Sequence, residues 1–278
     1  MKLSQRYLVG LIALGLSLPA FAALGLSNLG KLGGFMSKAK GAAPINEAKE
    51  IEIGSGIASR LLGAAPLVAD PSMQQYVNKV GMWLALQSER PDLPWHFGVL
   101  ESANVNAFAT PGGYVFITRG LLRKMRSEDE LAGVLAHEIA HVLRKHHLVA
   151  IQKAAKRGLM SEAVSVVAAE RGGNANWNKV ISAGTELYAR GLDKGDEFEA
   201  DRMGVVIATR AGYDPFGLPA VLQTLDSINA NDSGVALMFK THPTPAARLE
   251  LLDRAMGTGM DAYSGVGKPN LRFGKIVR

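Results

Sequence analysis

The stretch that most constrains this chain is residues 137–141, His-Glu-Ile-Ala-His, set inside a strongly helical pattern over residues 127–147. Leu131, Val134, Leu135, Ile139 and Val142 recur at spacings of three and four and mark one apolar stripe. Ser127, followed by Glu128, Asp129 and Glu130, reads as an N-cap with an acidic first turn, and Arg144 and Lys145 suit the far end of the helix dipole. On such a helix His137 and His141 are four residues apart, so both imidazoles leave one face about one turn apart. Two neutral imidazoles so placed can share one tetrahedral zinc ion. Glu138 is rotated by roughly 100° from His137, which suits it to reach a water on the metal rather than the metal itself. The pattern is HExxH, and its chemistry needs the apolar, periodic helix on which it falls.

A catalytic zinc takes a third protein ligand and keeps a fourth position open. One source would be a third His three residues beyond a chain-turning Gly. His147 has the spacing, but Arg144 stands where the Gly should be. The helix is then expected to continue and to carry His147 away by about 9 Å of rise from His141, leaving His146 and His147 as helix-end residues. The other source is an acid on a later helix. Residues 193–201 hold five carboxylates, and Glu197 and Asp201 lie four apart on one face. Glu197 is the candidate ligand. Asp201 is placed to hold the far nitrogen of a ligand His and fix its tautomer. Glu199 lies on a different face, and a plain solvated helix start would look the same when read without the HExxH.

Composition narrows the setting. The chain has 278 residues, 47% of them hydrophobic, and no cysteine, which excludes disulfides, thiolate metal sites and an N-terminal lipidated Cys. Lys2 and Arg6 precede an apolar run over residues 7–18, and Ala20-Phe21-Ala22 is an A-x-A site. Residues 1–22 therefore read as a secretory signal cleaved before Ala23, with an uncleaved membrane anchor as the alternative. Export without cysteines fits the periplasm of a Gram-negative bacterium. The net charge of +6 drops to +4 once Lys2 and Arg6 are removed. No basic block is interleaved with aromatics, so nucleic acid is not an expected partner. Mild attraction to anionic membrane surfaces, and thus peripheral membrane association, stays open beside an ordinary solvated basic face.

Residues 23–44, rich in Gly, Ser, Ala and Lys, read as a flexible tether or a short surface helix. Helices are expected over 45–64, capped by Asn46, and from Asp70-Pro71 to about residue 88. Strands are expected over 95–101, 104–110 and 114–118, the last two joined at Pro111-Gly112-Gly113 as a hairpin or meander. Helical runs follow over 148–170, 177–188, 196–211, 215–228 and 246–255. Residues 257–278 read as a Gly-rich, ill-defined tail. The fold class is helix-rich α+β: a single domain over residues 45–256 with a small sheet beside the 137–141 helix.

Three stretches combine with the zinc pattern to make a resemblance. They are Glu197-x-x-x-Asp201, Asn106-Ala107-Phe108-Ala109 with Pro111-Gly112-Gly113-Tyr114, and Thr241-His242-Pro243 with Arg248. The chain resembles the gluzincin zinc metalloendopeptidases of peptidase family M48 over residues 45–254. That family includes HtpX, the CAAX prenyl endopeptidases and the mitochondrial Oma-type proteases. The chain is most similar to its compact exported members, the BepA-like and LoiP-like proteases of envelope quality control. The resemblance implies one zinc per chain and polypeptide substrates, with the outer-membrane assembly machinery as a candidate partner. It implies that residues 106–109 offer a sheet edge on which an extended substrate pairs, a core strand being the alternative. It also implies that His242 and Arg248 stabilise the oxyanion. In some members the corresponding His instead sits on the zinc at rest, and a helix cap is a further reading. Tyr188 and Arg190 resemble another family motif.

The expected activity is zinc-dependent endoproteolysis, with Glu138 as the proton acceptor and later donor. The rival reading is a chaperone-like binding module for unfolded outer-membrane proteins, with zinc in a structural or regulatory role.

Overall fold

The structure is a computed structural model, and it describes residues 45–156, 191–229, 232, 234–265 and 271–277. The expected signal, the tether, residues 157–190 of the expected helices, and Tyr188 and Arg190 lie outside the described residues. Helix α1 is Glu47–Ala64 and α2 is Pro71–Ala85. Strands β1, β2 and β3 are His96–Leu100, Ala107–Thr110 and Tyr114–Thr118. The helices that follow are α3 (Arg119–Leu122), α4 (Glu128–Leu143), α5 (His146–Lys156), α6 (Lys194–Arg210), α7 (Gly217–Asp226), α8 (Ala236–Thr241), α9 (Pro245–Met256) and α10 (Leu271–Val277).

The local chemistry places several of these boundaries. Asn46 Oδ1 accepts from the Lys49 amide, Asp70 from Ser72 and Met73, and Ser127 from Glu130, so each of these three helix starts has one or two of its orphan donors capped. Helix α4 runs through the centre of the fold. Leu131, Leu135 and Ile139 are fully buried, and the polar residues His137, Glu138 and His141 are buried beside them. Helix α4 makes its most extensive contacts with α6, then with α7, and lies against β2 and α2. Gly204 on α6 permits a close approach to α4. A Cβ there would lie 2.9 Å from the His137 amide nitrogen and 3.0 Å from its Cα, so backbone lies nearly on backbone at the turn that carries His137.

The sheet has the order β1-β3-β2. Strands β2 and β3 form the expected antiparallel hairpin, with Phe108 opposite Phe116. Strand β1 pairs parallel to β3, with Gly98 opposite Phe116. A meander would have put β2 in the middle. Residues 101–106 instead carry the chain across to the far side of β3. Thr118 ties that crossing down: its Oγ1 donates to the Asn104 carbonyl at 2.5 Å and accepts from the Asn106 amide at 3.0 Å. Strand β2 is therefore an outer strand among the described residues.

Two elements differ from the sequence reading. The 127–147 helix does not continue to His147. It stops at Leu143, and Lys145 takes φ +56°, the only positive φ at a non-glycine among the described residues, before α5 starts at His146. Beyond Gly257, the expected tail contributes α10, whose Phe273 and Val277 are buried and whose Phe273 ring lies 6.4 Å from Tyr76 on α2. No helix among the described residues is long and apolar enough to cross a membrane.

Candidate metal centre

The two halves of the site come from α4 and α6. His137 and His141 leave α4 one turn apart, with their Nε2 atoms 3.1 Å from each other. Glu197, in the first turn of α6, brings Oε2 to 3.7 Å from His137 Nε2 and Oε1 to 3.5 Å from His141 Nε2. One ligand atom from each of the three lies within 4.8 Å of the others, and all three residues are buried.

Each side chain is oriented by a partner. His137 Nδ1 lies 2.9 Å from Asp201 Oδ1, so the proton belongs on Nδ1 and the lone pair on Nε2. Arg248 donates to Asp201 through Nε at 2.9 Å and Nη2 at 2.5 Å. Burial opposes ionisation of Asp201, but the Arg248 guanidinium outweighs it and holds the carboxyl well below its usual range. His242 Nδ1 lies 2.6 Å from Glu197 Oε2 and donates to it. Burial works against charge on both members of that pair, yet their mutual attraction wins, lowering Glu197 and raising His242. Burial pushes His141 well below its ordinary value, so it stands as a neutral imidazole, the form that binds metals.

These facts test whether a metal suits the residues present. Glu197 Oε1 is buried and accepts no hydrogen bond. Such an atom loses its hydration without recompense. With Nδ1 of His137 taken by Asp201 and Nδ1 of His141 facing His146, two imidazole lone pairs and one carboxylate lone pair converge with no proton between them. A cation relieves that crowding. Two nitrogens and one oxygen, all borderline or hard, match the ligand set of zinc. The donor set fits.

Glu138 is buried beside His137, and burial lifts its carboxyl above the ordinary range. It lines a cavity with His137, His242, Arg248, Asn106 and Ala107, whose floor is apolar and includes Val134, Leu218 and Leu222. Of the residues expected on the substrate edge, Asn106 and Ala107 therefore reach the site. Phe108 instead packs against Phe116, with ring centroids 5.7 Å apart, and Ala109 is fully buried.

Two expectations change here. Arg248 was expected as an oxyanion donor, but its Nε and Nη2 are committed to Asp201, and Nη2 also stands 3.3 Å from His137 Nδ1. His146 was expected as a helix-end residue. The left-handed turn at Lys145 brings it back, with its Nδ1 2.9 Å from His141 Nδ1. Its Nε2 faces Glu199 at 3.5 Å and Asp196 at 3.9 Å. His147 returns as well, its ring 5.6 Å from that of His141, without joining the three-residue cluster. Nothing in local propensity signals a left-handed Lys. The one cue was the run of two further His after the pattern.

The sequence profile of Peptidase family M48 matches residues 71–256, which covers every residue of the cluster and its orienting partners. The chain is 32% identical over 207 residues to the Beta-barrel assembly-enhancing protease of Yersinia pestis, spanning 72% of this chain and 42% of that protein. Against the protein of the same name in Escherichia coli K12, identity is 30% over 250 residues, or 87% and 50% of the two chains. The Mitochondrial metalloendopeptidase OMA1 of Schizosaccharomyces pombe is 31% identical over 181 residues, covering 64% of this chain and 51% of that one. The chain thus spans about half the length of the relatives it matches. A helix-rich domain with a small mixed sheet, a buried His-His-Glu cluster and this profile match lead to one conclusion: the chain belongs to peptidase family M48 and carries its metallopeptidase domain.

Proposed function

We propose that this protein is a zinc metalloendopeptidase that cleaves envelope polypeptides. The observation that carries the reading is Glu197 Oε1, buried without a hydrogen bond and 3.5 Å from Nε2 of His141, which itself lies 3.1 Å from Nε2 of His137. These three residues would hold one zinc per chain. Zinc bound there would act as a Lewis acid on the scissile carbonyl and would acidify the attacking water. Glu138 takes the proton of that water and later delivers it to the leaving amine. Asp201 keeps His137 in the tautomer that presents Nε2, and Arg248 holds Asp201. His242 steadies Glu197 through Nδ1 and lines the cavity in which the oxyanion forms, so its charge favours that oxyanion.

Because Glu138 serves the leaving amine, the cavity beside it belongs to the residue that follows the scissile bond. Its floor of Val134, Leu218 and Leu222 favours an aliphatic side chain there. Asn106 and Ala107, at the start of the outer strand β2, are placed to align an extended substrate.

Residues 1–22 serve as an export signal, residues 23–44 as a tether, residues 45–256 as the catalytic domain and residues 257–278 as its C-terminal extension. The names of the bacterial relatives favour a role in β-barrel assembly, and the export signal over residues 1–22 sets that role in the periplasm, with peripheral membrane contact. The test is metal analysis and casein cleavage by the wild type and Glu138→Gln. We expect about one zinc per chain in both and cleavage by the wild type alone, slower in the variant by at least ~10². A wild type without zinc, or a variant that cleaves equally well, refutes the proposal. Full complementation of a deletion strain by Glu138→Gln would instead favour the binding-module reading.

A further inference from the structure

The turn at Lys145 ends α4 only two residues after the second His of HExxH has completed its turn, and it is held in an unusual way. An L-residue in the left-handed region is disfavoured by roughly 1–2 kcal/mol, and Gly or Asn normally takes such a place. Here a Lys takes it, with φ +56°. Its Nζ lies 2.9 Å from Oε2 of Glu50 on α1. Glu50 is fully buried and also accepts from Arg90, through Nη1 at 2.8 Å and Nη2 at 3.1 Å, and from the Gly112 amide at 3.4 Å. One carboxylate thus ties together α1, the loop after α2, the β2–β3 turn and the α4–α5 junction. An ion pair to a fixed, buried carboxylate offsets the backbone cost at Lys145.

The turn delivers His146. His146 is buried, and its Nδ1 stands 2.9 Å from Nδ1 of His141. Two nitrogens at that distance share one proton, so one imidazole donates and the other accepts. Nε2 of His146 faces the carboxylates of Glu199 and Asp196, so its own proton belongs on Nε2 and Nδ1 is the acceptor. Nδ1–H of His141 is then the donor, and the lone pair of His141 is fixed on Nε2, toward His137 and Glu197. Glu199 is itself held by Arg144 Nε at 3.1 Å. His137 has Asp201 for this service, and His141 has His146.

We infer that His146 is a positioning residue for His141, and that the left-handed turn which places it is fixed by the Lys145–Glu50 ion pair. The inference rests on the proposed zinc site, and the experiment separates the two. Zinc affinity of the full chain is measured by chelator competition, with far-UV circular dichroism as a check on the fold. His146→Ala is expected to weaken zinc binding by about 10–100-fold. His146→Asn, whose amide oxygen can occupy the place of Nδ1, should recover most of it. Lys145→Ala removes the ion pair and leaves an L-residue in the left-handed turn, so it should also weaken zinc. Lys145→Gly accepts the turn without the ion pair and should bind close to wild type. Wild-type affinity in a folded His146→Ala overturns the positioning role, and equal loss in Lys145→Ala and Lys145→Gly overturns the role of the turn. A wild type that binds no zinc refutes the zinc site instead. In that event, long-range ¹H–¹⁵N spectra of the metal-free imidazoles still decide the matter. The proton of His141 should sit on Nδ1 in the wild type and redistribute in His146→Ala, and an unchanged tautomer overturns the inference.

Discussion

Asp201 stands between His137 and Arg248, with Oδ1 2.9 Å from the imidazole Nδ1 and 2.5 Å from the guanidinium Nη2. One buried carboxylate thus sets the tautomer of a candidate zinc ligand and neutralises a cation that would otherwise lie against it. The two tasks separate by mutation. Asp201→Asn should weaken zinc by about 10–100-fold and destabilise the fold by about 3 kcal/mol, because Arg248 is left buried and unpaired. Adding Arg248→Met should restore much of the stability, read by urea unfolding, and none of the zinc affinity. Recovery of both together would show that Asp201 matters only as the partner of Arg248.

Glu50 gives a pH signature. Burial opposes its ionisation, but hydrogen bonds and ion pairs with Arg90 and Lys145 outweigh this and lower its pKa in the folded state. A depressed carboxyl contributes stability that is present above the unfolded value of ~4.3 and is lost as pH falls through the folded value. Glu50→Gln should be less stable than wild type at pH 7 by about 2–3 kcal/mol, toward the low end for a broken buried pair because solvent reaches Arg90 and Lys145. Thermal unfolding from pH 7 downward should show the gap narrowing only below pH ~4.3. A gap that stays constant at more acid pH would assign the loss to packing rather than charge.

The apolar floor beside Glu138 predicts cleavage preference. Sites mapped by mass spectrometry in a mixed peptide library should be enriched in Leu, Ile or Val directly after the scissile bond. Val134→Ala removes two methyl groups from the floor and should shift preference toward Phe by roughly 10-fold in kcat/KM. Enrichment on the other side of the bond would place the cavity on the wrong side of the reaction.

Gly204→Ala tests the closeness of the two helices. The added methyl meets the His137 backbone at 2.9–3.0 Å, so α6 must move out by a few tenths of an ångström. Overpacking of this kind costs about 1–3 kcal/mol, and Glu197 moves with the helix. We expect a lower Tm together with weaker zinc. Unaltered zinc affinity would show that Glu197 follows α4 independently of this contact.

Much of the site could be read without coordinates because its signals are local. The stripe from Leu131 to Val142 and the cap at Ser127 specify α4, and the spacing of Glu197 and Asp201 specifies the face of α6. What escaped depends on partners remote in sequence. Lys145 takes a left-handed turn because Glu50, on a different helix, accepts its ammonium. Arg248 looks like a free cation beside His242 until the fold brings Asp201 against it. The parallel pairing of β1 with β3 needed a crossing that Thr118 ties down, and no turn signal encodes that. Helix α10 is short and gains its place from Phe273 against Tyr76 rather than from propensity.

The contact at Gly204 has a consequence for how this site tolerates change. Metal–ligand distances hold to about ±0.2 Å, a finer tolerance than packed side chains keep when one of them is replaced. Here the separation of α4 and α6 is set by main-chain atoms meeting main-chain atoms, as a mechanical stop sets the travel of a part. Substitutions elsewhere in the surrounding core can then accumulate and be repacked while the gauge of the candidate metal site stays the same.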